Sequence, residues 1–183
     1  MSKQFFLVIA LLTPLMFLLY KLFVVGVDDP IKYIYTLTGA TAITLLYATT
    51  TISIVKKIKN LVKYRRTVGL FSFFYALLHL LNFIIFDMEL DLGFAISETI
   101  DKPFIYLGMI AFLILLFMAV TSLRVLFSKY FKYHKVIYIA IILVTIHFIM
   151  AQKTLSPEQM GYLFIMGIII VFKVLQRTNL IKT

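Results

Sequence analysis

The sequence predicts an all-α fold, a polytopic six-helix transmembrane bundle forming one domain over residues 1–183, with both termini cytoplasmic. Three observations carry this expectation. Sixty-two per cent of the residues are hydrophobic and 14% are charged, whereas a soluble domain is about 25% charged. Six apolar runs recur, at about 5–25, 33–55, 67–86, 103–123, 135–151 and 160–175. The connections between them alternate in charge, basic on one side and acidic on the other.

The first run, Phe5 to Val25, has the ~20 residues a bilayer crossing needs. It lacks a small-residue cleavage site and so reads as a retained helix rather than a signal peptide. Pro14 inside it is expected to kink it. The second, Tyr33 to Val55, follows Asp29-Pro30, and proline suits the first turn of a helix with Asp as cap. It holds Thr36, Thr38, Thr41, Thr44, Thr49, Thr50 and Thr51, whose hydroxyls either satisfy helix carbonyls, the expected use, or reach a cofactor. The third run is Thr67 to Phe86. The fourth, Pro103 to Leu123, begins at Lys102-Pro103. The fifth and sixth, Lys135 to Ala151 and Met160 to Leu175, are shorter and less tilted, the last opening at Ser156-Pro157-Glu158.

Charge sets the orientation. Lys3, six basic residues in 56–66, then Arg124, Lys129, Lys132 and Lys135, and finally Lys173, Arg177 and Lys182 place fourteen of the eighteen Lys and Arg on one side. All eight acids, Asp28, Asp29, Asp87, Glu89, Asp91, Glu98, Asp101 and Glu158, fall on the other. Lys and Arg beside the spans mark the cytoplasmic face. The net charge of +10 is dispersed over short juxtamembrane connections, which reads as topology and attraction to anionic membrane lipid, with no nucleic acid partner.

Chemistry concentrates in three histidines, His79, His134 and His147, in a chain without cysteine. Zero cysteines exclude disulfides, iron–sulfur clusters and covalently attached c-type haem. His79 lies 13 residues beyond Arg66 and His147 lies 13 beyond His134. Both climb about 20 Å from the inner edge on spans running in the same direction, so they arrive at one depth. Two imidazoles facing each other at one level can clamp a haem. Ser72 and Ala76 near His79, and Ala140, Val144 and Ala151 near His147, leave room for a flat macrocycle or serve close helix packing. His134 remains at the cytoplasmic edge near Arg65, Arg66 and Arg124, either as ligand of a second haem or as a contact for lipid phosphate or a propionate. A 13-residue step turns an ideal helix by about 220°, so His134 and His147 do not share a straight face. No acid lies inside a span, which argues against a buried zinc site or a cation pump. The seven glycines form no dinucleotide or phosphate motif, and no Ser-His-Asp set is available.

Several motifs taken together resemble a known family. Thr38-Gly39-Ala40-Thr41-Ala42 with Ala48-Thr49, Arg65-Arg66-Thr67-Val68-Gly69-Leu70 and Ala76-Leu77-Leu78-His79-Leu80 come first. Lys102-Pro103-Phe104 with Leu107-Gly108, Thr121-Ser122, His134 with Tyr138, and Ile146-His147-Phe148 follow. In order and spacing the chain resembles the ferric-reductase-like transmembrane proteins, and within them the MsrQ/YedZ type, the haem-binding membrane subunits of periplasmic methionine-sulfoxide reductase systems. The resemblance implies haem b, one or two, on His79, His134 and His147, with Arg65, Arg66 and Arg124 as contacts for propionate or flavin phosphate. It also implies FMN and residence in a bacterial inner membrane. Electrons would come from the quinone pool or a cytosolic flavin reductase and pass to a periplasmic molybdenum-containing methionine-sulfoxide reductase, the chain itself being a subunit and not an enzyme. Ala40, Lys102 and Tyr130 depart from residues usual in the family. Two other readings stay open: a stand-alone transmembrane ferric or cupric reductase whose acidic outer connections collect cations, and a haem-free structural or transport bundle.

Overall fold

The computed structural model describes residues 3–54, 59–152 and 157–177, and among these every regular element is a helix. Helix α1 (Lys3–Tyr20) continues through a π turn (Lys21–Val25) and stops at Gly26, whose φ of +83° suits a residue without Cβ. Then come α2 (Pro30–Ile54), a single turn α3 (Lys59–Val62), and α4 (Arg65–Asn82), which ends in another π turn (Phe83–Asp87). Next are α5 (Leu92–Asp101), α6 (Pro103–Thr121), and α7 (Arg124–Tyr130), joined by a 3-10 segment (Phe131–Val136) to α8 (Ile137–Met150). Helix α9 (Pro157–Arg177) follows.

Among the described residues four stretches are long and apolar enough to cross a bilayer: Lys3–Val25, Arg65–Asp87, Pro103–Thr121 and Val125–Met150. The two other expected spans are helical but less apolar or shorter. Helix α2 has 25 residues diluted by threonine, and the apolar part of α9 is Met160–Phe172. The run expected at 135–151 extends back through α7, because the connection expected at 124–134 is itself helical. The connection at 87–102 likewise folds into α5.

The threonines of α2 act as expected. Each of the seven donates its hydroxyl to the carbonyl four residues earlier, from Thr36 to Lys32 O (2.9 Å) through Thr51 to Tyr47 O (2.9 Å). A hydroxyl in hydrocarbon needs a partner, and the helix supplies one without a neighbour. Asp29 caps α2 by accepting from Lys32 N–H (2.9 Å).

Pro14 removes one backbone donor from α1, and a distant side chain enters the ladder there. The Tyr75 hydroxyl donates to Leu11 O (2.7 Å) and accepts from Leu15 N–H (3.2 Å), bridging a carbonyl and amide that would otherwise pair directly. Tyr75 is fully buried. The insertion satisfies backbone groups that would cost several kcal/mol each if left bare in lipid.

Two antiparallel pairs organise the bundle, α2 against α4 and α6 against α8. Their shared core is Ile43, Leu46, Tyr47, Leu115, Ala140, Ile141 and Ile169. A second cluster, Phe83, Met88 and Ala95, closes the end of the bundle where α5 lies and takes in Tyr35, Leu80, Ile84 and Ile105.

Candidate functional site

Each histidine-bearing helix belongs to a different pair, and the pairs meet at the rings. The centroids of His79 and His147 are 6.2 Å apart with planes at 88°. Two metal–imidazole bonds of about 2.0 Å each, plus the two ring radii, place centroids on either side of a metal about 6 Å apart. The separation therefore fits one metal held between the rings.

The two half-sites are built alike. His147 Nδ1–H donates to Phe104 O at 2.6 Å. Four residues beyond Phe104 stands Gly108, where a Cβ would lie 2.8 Å from His147 Nδ1. Only a bare backbone lets the imidazole lie flat on α6 and reach that carbonyl. On the other side, Gly39 stands four residues beyond Tyr35, and a Cβ there would lie 3.1 Å from both Nδ1 and Cε1 of His79. The Tyr35 carbonyl faces the His79 ring. Thr38, its proton already given to Ile34 O (2.5 Å), accepts from His79 Nδ1 at 3.4 Å. In each half an aromatic residue and a glycine four apart on one helix seat a histidine 39 or 40 residues after the glycine. Tyr35 meets His79 edge-on at 5.1 Å and Phe104 lies 6.0 Å from His147.

The chemistry follows from which nitrogen is occupied. With Nδ1–H donating to oxygen, each ring presents Nε2 as an unprotonated lone pair, the form in which imidazole binds a metal. His134 is set the opposite way. Its Nε2 lies 3.0 Å from Thr121 Oγ1, and Thr121 already donates to Phe117 O at 2.7 Å, so His134 Nε2–H is the donor. Its other neighbours are the Phe127 ring, edge-on at 5.3 Å, and the charge of Arg65.

The structure thus brings His79 and His147 together and leaves His134 apart, 13 residues and about 20 Å down the same helical run. Arg65 and Arg66 open α4, at the opposite end from His79. The Arg124 side chain falls outside the described part of the molecule. Among the described residues no group of three or more His, Cys, Asp or Glu could hold a metal, so the imidazole pair stands without a third ligand of that kind.

The small residues expected beside the rings are used elsewhere. Ser72 donates to Ala42 O (2.9 Å) across the α2–α4 contact. Ala76 and Val144 pack on the shared core, Ala140 is wholly inside it, and Ala151 is exposed. The residues that make room are Gly39 and Gly108. A glycine inside a span, with an aromatic residue four before it and matched spacing to a histidine, was the available signal.

Fold and site define an all-helical membrane protein with an imidazole pair clamped between two helical hairpins. The family described as ferric reductase like transmembrane component matches residues 38–149. The chain is 39% identical over 153 residues to the protein-methionine-sulfoxide reductase heme-binding subunit MsrQ of Pectobacterium carotovorum, covering 79% of this chain and 77% of that one. It is 40% identical over 142 residues to the protein of that name in Pectobacterium atrosepticum (73% and 71%), and 31% identical over 155 residues to that of Rhizobium meliloti (81% and 72%). The chain belongs to the ferric-reductase-like transmembrane family, among its MsrQ-type members.

Proposed function

We propose that the chain is the haem b-binding electron-transfer subunit of a periplasmic methionine-sulfoxide reductase system, seated in a bacterial inner membrane with six crossings and both termini cytoplasmic. The observation that carries the reading is the opposed imidazole pair, 6.2 Å between centroids, with both Nδ1 atoms turned to backbone or hydroxyl oxygen. Haem bound there supplies a one-electron carrier. His79 and His147 would hold it through Nε2, and Phe104 O, Tyr35 O and Thr38 would fix their tautomers. Buried apolar packing by Phe83, Met88 and Ile105 keeps water from that end of the pair.

Direction follows from charge. The basic connections face the cytoplasm, where quinol or a flavin reductase is the donor, and the acidic outer connections face the periplasm and its molybdenum-containing reductase. FMN rests on family resemblance and on no described residue, and no step depends on it. Haem number beyond one turns on His134, whose Nε2–H is given to Thr121, so that Nδ1 is the atom it would offer a metal.

Stopped-flow reoxidation of the dithionite-reduced, purified protein tests the reading. Fast electron loss to the periplasmic reductase, slowing as ionic strength rises because the outer surface is acidic, is expected. Fast reoxidation by ferric citrate and none by the reductase would establish a stand-alone metalloreductase instead. A purified protein without haem absorption would leave a haem-free bundle.

A further inference from the structure

Helix α5 was invisible in the hydrophobic pattern because it sits wholly within an acidic outer connection. Its chain enters through Glu89 and Leu90, both left-handed (φ 50° and 64°), a conformation that costs a non-glycine residue about 1 kcal/mol or more. The reversal is fastened by Leu90 N–H to Ile84 O (2.9 Å) and Asp91 N–H to Met88 O (2.8 Å). Asp91 then caps the helix by accepting from Phe94 N–H (2.9 Å). At the far end a single residue, Lys102, separates α5 from the first turn of α6, and it pairs with Glu98. Both ends are therefore tied to the membrane-crossing stretches Arg65–Asp87 and Pro103–Thr121, at the end that the orientation proposed above turns outward, and the inference below rests on that orientation.

A helix turns about 100° per residue, and the exposed arc of α5 carries two parallel stripes, with Phe94, 52% exposed, beyond the second of them beside Asp101. Leu92, Ile96 and Ile100 form one, 62%, 61% and 70% exposed. Gly93, Ser97 and Asp101 form the other, also exposed, with the Ser97 hydroxyl donating to the Asp101 carboxylate (3.2 Å). Ala95 faces inward onto Phe83 and Met88. The helix ends that α5 joins also expose apolar side chains, Phe86 and Tyr106, so its apolar stripe continues the lipid-facing belt and contains no charge to meet a soluble partner.

We propose that α5 is an interfacial helix whose Leu92–Ile96–Ile100 stripe is seated in the acyl chains of the outer leaflet, holding α5 as a cover over the outer end of the imidazole pair, with the Ser97–Asp101 stripe turned to water. Amphipathic surface helices bury an apolar face ~5–10 Å below the headgroups. The cover bears on the site directly, since its partner cluster includes Tyr35, which touches His79, and Ile105, next to the Phe104 whose carbonyl holds His147.

The chain contains neither tryptophan nor cysteine, so single introduced probes report without background. The full-length Ile96→Trp and Ser97→Trp proteins, reconstituted in phosphatidylcholine bilayers with and without bromine on the acyl chains, are compared by emission. The ratio between the two lipids cancels any quenching by a bound cofactor. The Ile96 probe should be blue-shifted and quenched about twofold more strongly by brominated lipid than the Ser97 probe. Equal, weak quenching at both positions overturns the lipid seat. Quenching absent in lipid, with a blue shift only after the periplasmic reductase is added, assigns the stripe to a protein partner instead. Should either tryptophan variant fail to fold, labelling with a membrane-impermeant maleimide decides the matter. Ile96→Cys should be protected and Ser97→Cys modified, and equally rapid labelling of both would refute the proposal.

Discussion

The same helical run carries two histidines that the fold treats in opposite ways. His147 gives Nδ1–H to the Phe104 carbonyl and faces His79 across 6.2 Å. His134, 13 residues earlier, gives Nε2–H to Thr121 and meets an aromatic edge and an arginine charge. Residue type and membrane context are shared. What differs is the neighbouring backbone. At the pair, Gly39 and Gly108 allow an imidazole to lie against a helix and reach a carbonyl, which fixes the proton on Nδ1. At His134 a threonine hydroxyl offers the acceptor instead and takes Nε2. What holds the second nitrogen thus decides which atom a membrane histidine offers a metal, Nε2 at the pair and Nδ1 at His134, and only at the pair does another histidine face it.

Removing a ring gives the largest expected effect. Haem content and the reduced spectrum of His79→Ala and His147→Ala should collapse, by more than the ~10–100-fold loss typical of deleting an outer-shell partner. His134→Ala should keep the spectrum of the pair. If His134→Ala alone abolishes haem, the contrast between the two regions is wrong.

Filling the glycine seats comes next. Gly108→Ala would place a Cβ 2.8 Å from His147 Nδ1 and Gly39→Ala one 3.1 Å from His79. Overpacking costs about 1–3 kcal/mol, and each ~1.4 kcal/mol is a tenfold loss of affinity. Haem titration of the apoproteins should show the loss, greater for Gly108→Ala. Gly167→Ala, with nothing within 4 Å of its Cβ, is the control and should be neutral or gain up to ~1 kcal/mol from helix propensity.

The smallest effect is expected from the hydroxyls. Thr38→Val removes an acceptor held at 3.4 Å, so haem affinity should fall by no more than about tenfold, with a small displacement of the midpoint potential. Thr121→Val should leave both unchanged, because it frees only His134. A larger change from Thr121→Val than from Thr38→Val, read by redox titration, would place a cofactor at the inner histidine.

Much of this was legible in the linear order of residues. Run length gave the helices, since hydrocarbon thickness acts on segments independently of packing. Equal counts from the inner edge brought His79 and His147 to one level. Local rules also explain Thr36 to Thr51, whose acceptors are four residues away on their own helix. Contacts across the fold were not legible. Nothing near Pro14 announces that Tyr75, some sixty residues on, enters its ladder. Ser72 and Ala140 were plausible as space beside a cofactor and turned out to pack helix on helix. Helix α5 was hidden because a ten-residue helix with mixed apolar and polar positions is too short to stand out between charged neighbours.

By itself the sequence determined an all-helical chain for a lipid environment, the polarity of its charges, and a pair of rings at matched height. Those properties depend on transfer energies and on 1.5 Å of rise per residue, which add along a chain. The tertiary structure alone decided which nitrogen each ring offers and which side chains enclose it. Proton placement on an imidazole depends on an acceptor within hydrogen-bonding distance. For His147 that acceptor is a carbonyl 43 residues away on another helix, reachable only where a glycine leaves the backbone bare.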